Sequence, residues 1–287
     1  MDGYAEITYA VRDAIATITL HRPQARNGYT VRMSDELADA FDRADRNQQV
    51  RAVVFTGDGR DFCVGADLSA GGLDVAEPDA EDTEGWQEPA GRCSMRIFAM
   101  TKPVIAAIQG AAVGAGSTII LSCDYRLAAT DARFGFVFSR RGIYPEGAST
   151  WFLPRLVGLG VALDWMVSGR VFGATEARSA GLLHSLHEPE ALLAAAYDLA
   201  NELIVNTAPV SVAVIRQMLY HLSPVASPLD AQRVDSRLIA GLGGNPDAVE
   251  GVRSFLQRRP PEFTGTLPDD IPAWLPWHAT TGGHADR

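Results

Sequence analysis

Strand-like runs alternate with helical periodicity through the first two thirds of the chain, and no other feature restricts the fold as much. Ala14–Leu20 is β-branched and reads as a strand, while Ala52–Thr56 is apolar enough for a strand buried on both faces. Between them Met33, Leu37, Ala40, Phe41 and Ala44 recur at helical spacing, with Asp and Arg on the opposite face. Lys102–Ile108 is a further strand, its proline at the start where one is tolerated. Gly110 breaks it, and a helix of small residues is predicted to start near Ala115. Tyr125–Ala129 and Leu182–Leu186 are predicted as short strands, so strands and crossover helices together define an α/β fold.

After about residue 189 the strand signals stop. Helical periodicity covers Ala191–Asn206, Pro209–His221, Ala231–Leu242 and Asp247–Arg258, split by Pro, Gly or Asn. The expected organisation is a core over 1–200, a helical module over 201–265 that serves assembly, and an extended tail over 266–287. The tail is interrupted by prolines, and Trp274 and Trp277 suit it to docking at a place the sequence does not specify. Ser69–Pro89, acidic and bearing Gly and Pro, is expected to be a mobile loop.

The formal charge of −10 argues against nucleic acid or an anionic membrane as the main partner. Much of it is local: Asp74, Glu77, Asp79, Glu81, Asp82, Glu84 and Glu88 follow one another with no Lys or Arg among them. An anionic small-molecule ligand is therefore compatible with the rest of the surface. The uncharged apolar runs fall short of the ~20 residues that span a bilayer. No basic region followed by an apolar stretch opens the chain, so a soluble cytoplasmic protein is expected. Cys63, Cys93 and Cys123 lack metal-ligand spacing and read as buried, reduced thiols. His187-Glu188-Pro189 cannot continue as a zinc-binding helix, and no Gly-x-Ser-x-Gly is present, so no metal or nucleophile site is expected.

Two strand-to-turn junctions carry the chemistry. Phe62–Leu68 follows the strand at Ala52–Thr56, and Gly110–Gly116, including Gly114 and Ala115, follows the one at Val104–Ile108. Glycine lets backbone approach a ligand closely, and the first N–H groups of a helix have no internal acceptors. Side by side, two such junctions would aim two amide donors at one oxygen. Tight turns and close helix–sheet packing explain the same glycines.

With these stretches in order, the chain resembles the crotonase (enoyl-CoA hydratase/isomerase) superfamily over roughly residues 5–265. The resemblance rests on His21–Asn27, Phe62–Asp67, Lys102–Gly110, Cys123–Arg126, Leu153–Gly158, Ser168–Arg170, Glu176-Ala177 and Ala180–Leu182. It implies a spiral of ββα repeats with a C-terminal helical trimerisation region, and a homotrimer or dimer of trimers. It also implies an acyl-CoA substrate, with no separate cofactor because coenzyme A is part of that substrate. By the same resemblance the N–H groups of Ala66 and Ala115 form the oxyanion hole for the thioester oxygen. Ala25 and Asn27 would lie near the adenine, Asp67 and Gly114 beside the thioester, and Phe255 and Arg258 against coenzyme A. Arg258 would offer a guanidinium to a phosphate, although the exposed end of a helix favours such a residue as well.

The residue that moves a proton sets the reaction. Hydratases of the superfamily use two glutamates, and here Thr118 and Phe138 stand in their places. Tyr144-Pro145-Glu146-Gly147 instead resembles Δ3,Δ2-enoyl-CoA isomerases, whose single glutamate is the base. One carboxylate suffices to take a proton from C2 of a 3-enoyl thioester and return it to C4. Phe136, Phe138, Tyr144 and Trp151 are expected to exclude water around Glu146, and burial to raise its pKa. Isomerisation with Glu146 as proton shuttle is the leading expectation. Hydration using Glu146 or a Thr118-held water is the first alternative, and a non-catalytic acyl-CoA-binding scaffold the second. Ser69–Gly91 is expected to cover part of the acyl pocket, with Trp86 lining it, and Asp124 to be structural, satisfied by backbone or Arg126.

Overall fold

The computed structural model describes residues 3–69, 71–72 and 85–277. The acidic residues from Asp74 to Glu84, and most of the loop expected over Ser69–Pro89, lie outside the described residues, as does the end of the tail.

A hairpin opens the fold. Strand β1 (Ile7–Arg12) pairs antiparallel with β2 (Ile15–Leu20) across Asp13 and Ala14, whose φ values of 50° and 63° suit the twist of a two-residue turn. Helix α1 (Val31–Arg46) starts where Thr30 accepts the Met33 N–H at 2.9 Å, and it buries the predicted stripe of Met33, Leu37, Ala40, Phe41 and Ala44. Strand β3 (Ala52–Gly57) then pairs parallel with β2. Helix α2 (Pro89–Phe98) begins inside the segment expected as loop. The Glu88 carboxylate caps it and Pro89 occupies its first turn, where a missing N–H costs nothing.

Strand β4 (Val104–Ile108) leads directly into β5 (Ala111–Val113) and the short helix α3 (Ala115–Ile119). Next come β6 (Tyr125–Ala129), β7 (Arg133–Gly135), α4 (Phe138–Arg141), α5 (Ser149–Val157) and α6 (Leu159–Ser168). Strand β8 (Val171–Gly173), α7 (Ala174–Ser179) and β9 (Ser185–His187) close the mixed region. Strand β9 starts three residues later than expected at Leu182. There Gly181 turns with a φ of 89°, and the Leu182 N–H is used to close α7 on Ala177 O.

Six strands form one sheet in the order β1-β2-β3-β4-β6-β9, parallel from β2 onward, and β5-β7-β8 form a second. The interior strands β3 and β4 are almost entirely apolar because both their faces are covered. Lys102 is fully buried and spends its ammonium on the carbonyls of Ala44 and Asn47, which closes the end of α1. Four helices follow: α8 (Leu192–Ile204), α9 (Pro209–Leu222), α10 (Pro228–Ala240) and α11 (Pro246–Gln257). Helix α8 packs across β3, β4 and β6 in the main core. A second apolar cluster joins α9 and α10 to the tail through Ala213, Val214, Val234, Leu267, Ile271, Leu275 and Trp277. The tail's docking place is therefore visible: Trp277 stacks on His221 with ring centroids 4.9 Å apart and donates to Gln217 at 3.0 Å, while Arg237 lies over Trp274.

One buried ion pair ties α9 to the sheet, and Asp124 is structural and satisfied by backbone as expected, with Arg216 in place of Arg126 as its cation. Asp124 accepts the Val104 N–H but pairs with Arg216, 2.9 Å away, and not with Arg126. Arg126 is occupied by the carbonyls of Leu182 and Cys123. The other guanidinium nitrogens of Arg216 donate to the carbonyls of Ile97, Phe98 and Met100. An Arg216→Met variant leaves a buried carboxylate uncompensated and should lose about 3–5 kcal/mol of stability, measurable by urea denaturation.

Candidate active site

The two small-residue junctions meet. The Cys63 N–H donates to Ala111 O and the Val113 N–H to Cys63 O, so the chain after β3 is stitched to β5. Gly65, with a φ of 98°, has no room for a side chain, since a Cβ there would stand 3.0 Å from Val113 O. Gly116 is tighter still, with 2.2 Å between its would-be Cβ and Cys63 O.

This contact presents two amides. Around Ala66 the ladder bonds run from Tyr29 N to Gly65 O and from Asp67 N to Tyr29 O, so Ala66's own N–H faces away from that pairing. Ala115 is the first residue of α3, and Gly114, the N-cap, has no side chain to satisfy it. The neighbouring donors at Ser117 and Thr118 already bond to Gly114 O.

Glu146 reaches α3 through Thr118. Its Oε1 lies 3.2 Å from Thr118 Oγ1, which in turn lies 3.0 Å from Ala115 O. One hydroxyl serves both states of the acid: it donates to an ionised Glu146, and it accepts from a protonated one while donating to Ala115 O. Burial pushes the Glu146 pKa up to about 7, and the negative charge of Glu88 adds to the rise against the hydrogen bond from Thr118. The turn that carries Glu146 is left-handed twice over, at Gly147 (φ 62°) and at Ala148 (φ 52°), where a side chain disfavours that conformation.

A model of the enoyl-CoA hydratase/isomerase family matches residues 10–266 of the chain. The chain belongs to the enoyl-CoA hydratase/isomerase family. Among curated relatives, an enoyl-CoA hydratase of Alternaria alternata is 35% identical over 260 residues, covering 89% of this chain and 84% of the relative. The 1,2-epoxyphenylacetyl-CoA isomerase of Escherichia coli K12 is 33% identical over 261 residues, covering 89% and 97% respectively. Among solved structures, an enoyl-CoA hydratase from Mycobacterium tuberculosis H37Rv superposes with a TM-score of 0.80 at 31% identity, over 91% of this chain and 99% of that one. The crotonase-type α/β fold expected from the motifs is the fold of these neighbours, and acyl-CoA substrates are the expectation for the family.

Other residues singled out in the sequence are placed differently from one another. Asn27 is fully buried and its amide is used up: it accepts from Arg22 N and donates to Asp58 O and Asp61 O. It shapes the loop that holds Ala25 and leaves no side-chain group for a ligand. Asp67 is ion-paired to Arg22 at 2.8 Å and accepts the Ser69 N–H, contacts that hold its carboxyl down at about 2. Phe255 is 80% exposed and Arg258 closes α11 in a left-handed conformation. Neither hydrogen-bonds to Ala66, Ala115 or Glu146 among the described residues.

Of the aromatic side chains expected around Glu146, Tyr144 needs correcting. Tyr144 is 89% exposed. Phe136 is buried against Trp165, and Trp151 packs edge-on to Phe98 and Phe152. Tyr29 and Cys63 are buried and feel the charge of Glu146; burial raises their pKa values, and that charge adds a smaller part to the rise. Cys63, Cys93 and Cys123 are free and buried. Glu88 and Tyr29 were not anticipated as site residues. The signal for Glu88 was its place directly before Pro89 and a run of helical spacing, hidden because it also ends an acidic stretch.

Because the folded Glu146 binds its proton more tightly than an unfolded glutamate, it favours the folded state in acid and penalises it once ionised. The native state holds the extra proton between about pH 4.5 and about 7, so this contribution is lost as pH rises through that window. A Glu146→Gln variant should therefore melt at a higher temperature than the wild type at pH 8, with the gap closing towards pH 4.5 in calorimetric scans.

Proposed function

We propose that the chain shifts the double bond of a 3-enoyl-CoA to the 2-position with Glu146 as the proton shuttle. The observation that carries this reading is the placement of the Glu146 carboxylate, part-buried and 3.2 Å from Thr118 Oγ1, where burial raises its pKa to about 7 and suits it to take and return a proton near neutrality. Thr118 and Phe138 occupy the places of the two hydratase glutamates, and buried Phe138 offers a water no hydrogen bond.

In this reading the ionised Glu146 removes a proton from C2 of the 3-enoyl thioester. The electron pair of that C–H bond moves into the carbonyl, and the enolate oxygen accepts hydrogen bonds from the N–H groups of Ala66 and Ala115. Protonated Glu146 then delivers the same proton to C4, the electrons return, and the double bond lies between C2 and C3. Coenzyme A enters as part of the substrate, and no separate cofactor is invoked. The loop around Ala25, with Gly114 and Asp67 beside the hole, would face the thioester and its nucleotide arm, and Arg258 with Phe255 would supply further contact to coenzyme A. The exposed apolar side chains of Leu229, Ile239, Val252, Phe255 and Leu256 on α10 and α11 favour assembly into a trimer or a pair of trimers.

Hydration of 2-enoyl-CoA is the second reading, favoured by the hydratase names of most of the curated relatives. There Thr118 would hold the water and Glu146 activate it. Incubation with 3-enoyl-CoA and with 2-enoyl-CoA separates the two. The wild type should isomerise the first, Glu146→Gln should lose at least ~10²-fold in rate, and kcat/KM should fall as pH drops below about 7. Rapid hydration of 2-enoyl-CoA without isomerisation would transfer the assignment to the second reading, and intact acyl-CoA binding without turnover would indicate a scaffold.

A further inference from the structure

Glu88 stands 58 positions before Glu146 in the sequence and beside it in the fold. Its Oε2 accepts the Gly91 N–H at 2.6 Å, capping α2, and its Oε1 accepts the Gly147 N–H at 2.7 Å. Capping alone is done best by the short side chains of Ser, Thr, Asp or Asn. The extra length of glutamate is what reaches the residue after Glu146. Gly91 makes room for it: a Cβ there would stand 2.4 Å from Glu88 Oε1. On the other side, a Cβ at Gly147 would meet Ser94 Oγ at 3.1 Å and Thr118 Cβ at 3.2 Å. The Pro-Glu-Gly turn is thus gripped between the first two turns of α2 and the end of α3.

We infer that Glu88 is a positioning residue of the active site, whose carboxylate holds the turn carrying Glu146 and sets a fixed negative charge next to it. This rests on the reading of Glu146 as the proton shuttle. Two neighbouring carboxylates resist being ionised together, so the charge of Glu88 adds to burial in keeping Glu146 able to hold a proton near neutrality, as redelivery to C4 demands. Among the described residues Thr118 from α3, Tyr29 ahead of α1 and Cys63 after β3 also interact with Glu146, Ser94 Oγ lies against the Gly147 turn, and Cys93 on α2 faces Glu88 and Tyr29. Arg22, a cation that interacts with Cys63, is already paired with Asp67 and Glu6. Among the described residues no Lys, Arg or His offsets the negative charge at Glu146.

The test reads Glu146 directly. Infrared difference titration of the full-length protein, with Glu146→Gln to assign the band, follows its protonated carboxyl in the wild type, Glu88→Gln and Glu88→Ser. Glu88→Gln keeps an acceptor for Gly147 without the charge. Glu88→Ser keeps α2 capped and removes both, so it decides the matter if the first variant does not fold. Both variants should ionise Glu146 about one pH unit lower than the wild type, within the usual reach of a neighbouring charge. In a 3-enoyl-CoA assay the acid limb of kcat/KM should move down with the band. A lowered melting temperature with an unmoved titration overturns the inference and leaves Glu88 a helix cap. A shifted band in a protein that does not isomerise 3-enoyl-CoA supports the role of Glu88 and removes the isomerase reading.

Discussion

The close approach of two backbone segments, Cys63–Ala66 and Val113–Gly116, is the constraint on which the site depends. Parallel-bridge hydrogen bonds between Cys63 and the ends of β5 set the distance, and the absence of side chains at Gly65 and Gly116 makes it attainable. Once the segments touch, the Ala66 and Ala115 amides are left outside both ladders. The remainder of the architecture serves that contact. The parallel sheet fixes where β3 and β4 end, and the Asp124–Arg216 pair fixes α9 at the other end of β4, against the Val104 N–H and the carbonyls of Ile97, Phe98 and Met100.

Around the amides the structure concentrates acid in place of base. Glu146 and Glu88 are brought together by opposite ends of one small arrangement, and among the described residues hydrogen bonds from Thr118, Gly91 and Gly147 temper their charges. Such a pair suits a group that must alternate between protonated and ionised, whereas a carboxylate bound to a cation stays ionised. Asp67 shows the contrast a short way along the chain: paired with Arg22, it is held at about 2 and has no part in proton transfer near neutrality.

Much of the fold was legible because it depends on local pattern. The stripe of α1 and the apolar runs of β3 and β4 fall where periodicity placed them, since burial on one or both faces writes itself into neighbouring residues. The β1–β2 hairpin went unread because its turn is Asp13-Ala14, not the Asn-Gly or Asp-Gly that announces such a turn. The start of α2 was missed because an acidic, Pro-bearing stretch reads as loop until Glu88 is seen to cap it. Helix α10 begins three residues before its predicted start, at Pro228, because Ser227 caps it.

Sequence by itself therefore determined the α/β order, the family, and the glycines of the two junctions. Each of these is a property of residue type at a position. Only the tertiary structure decided that Asp124 belongs to Arg216, that Tyr144 points to solvent, and that Glu88 stands beside Glu146. These are distances between side chains 92 and 58 positions apart for the two pairs, and exposure for Tyr144. Charge interactions depend on separation in space, which no local pattern records.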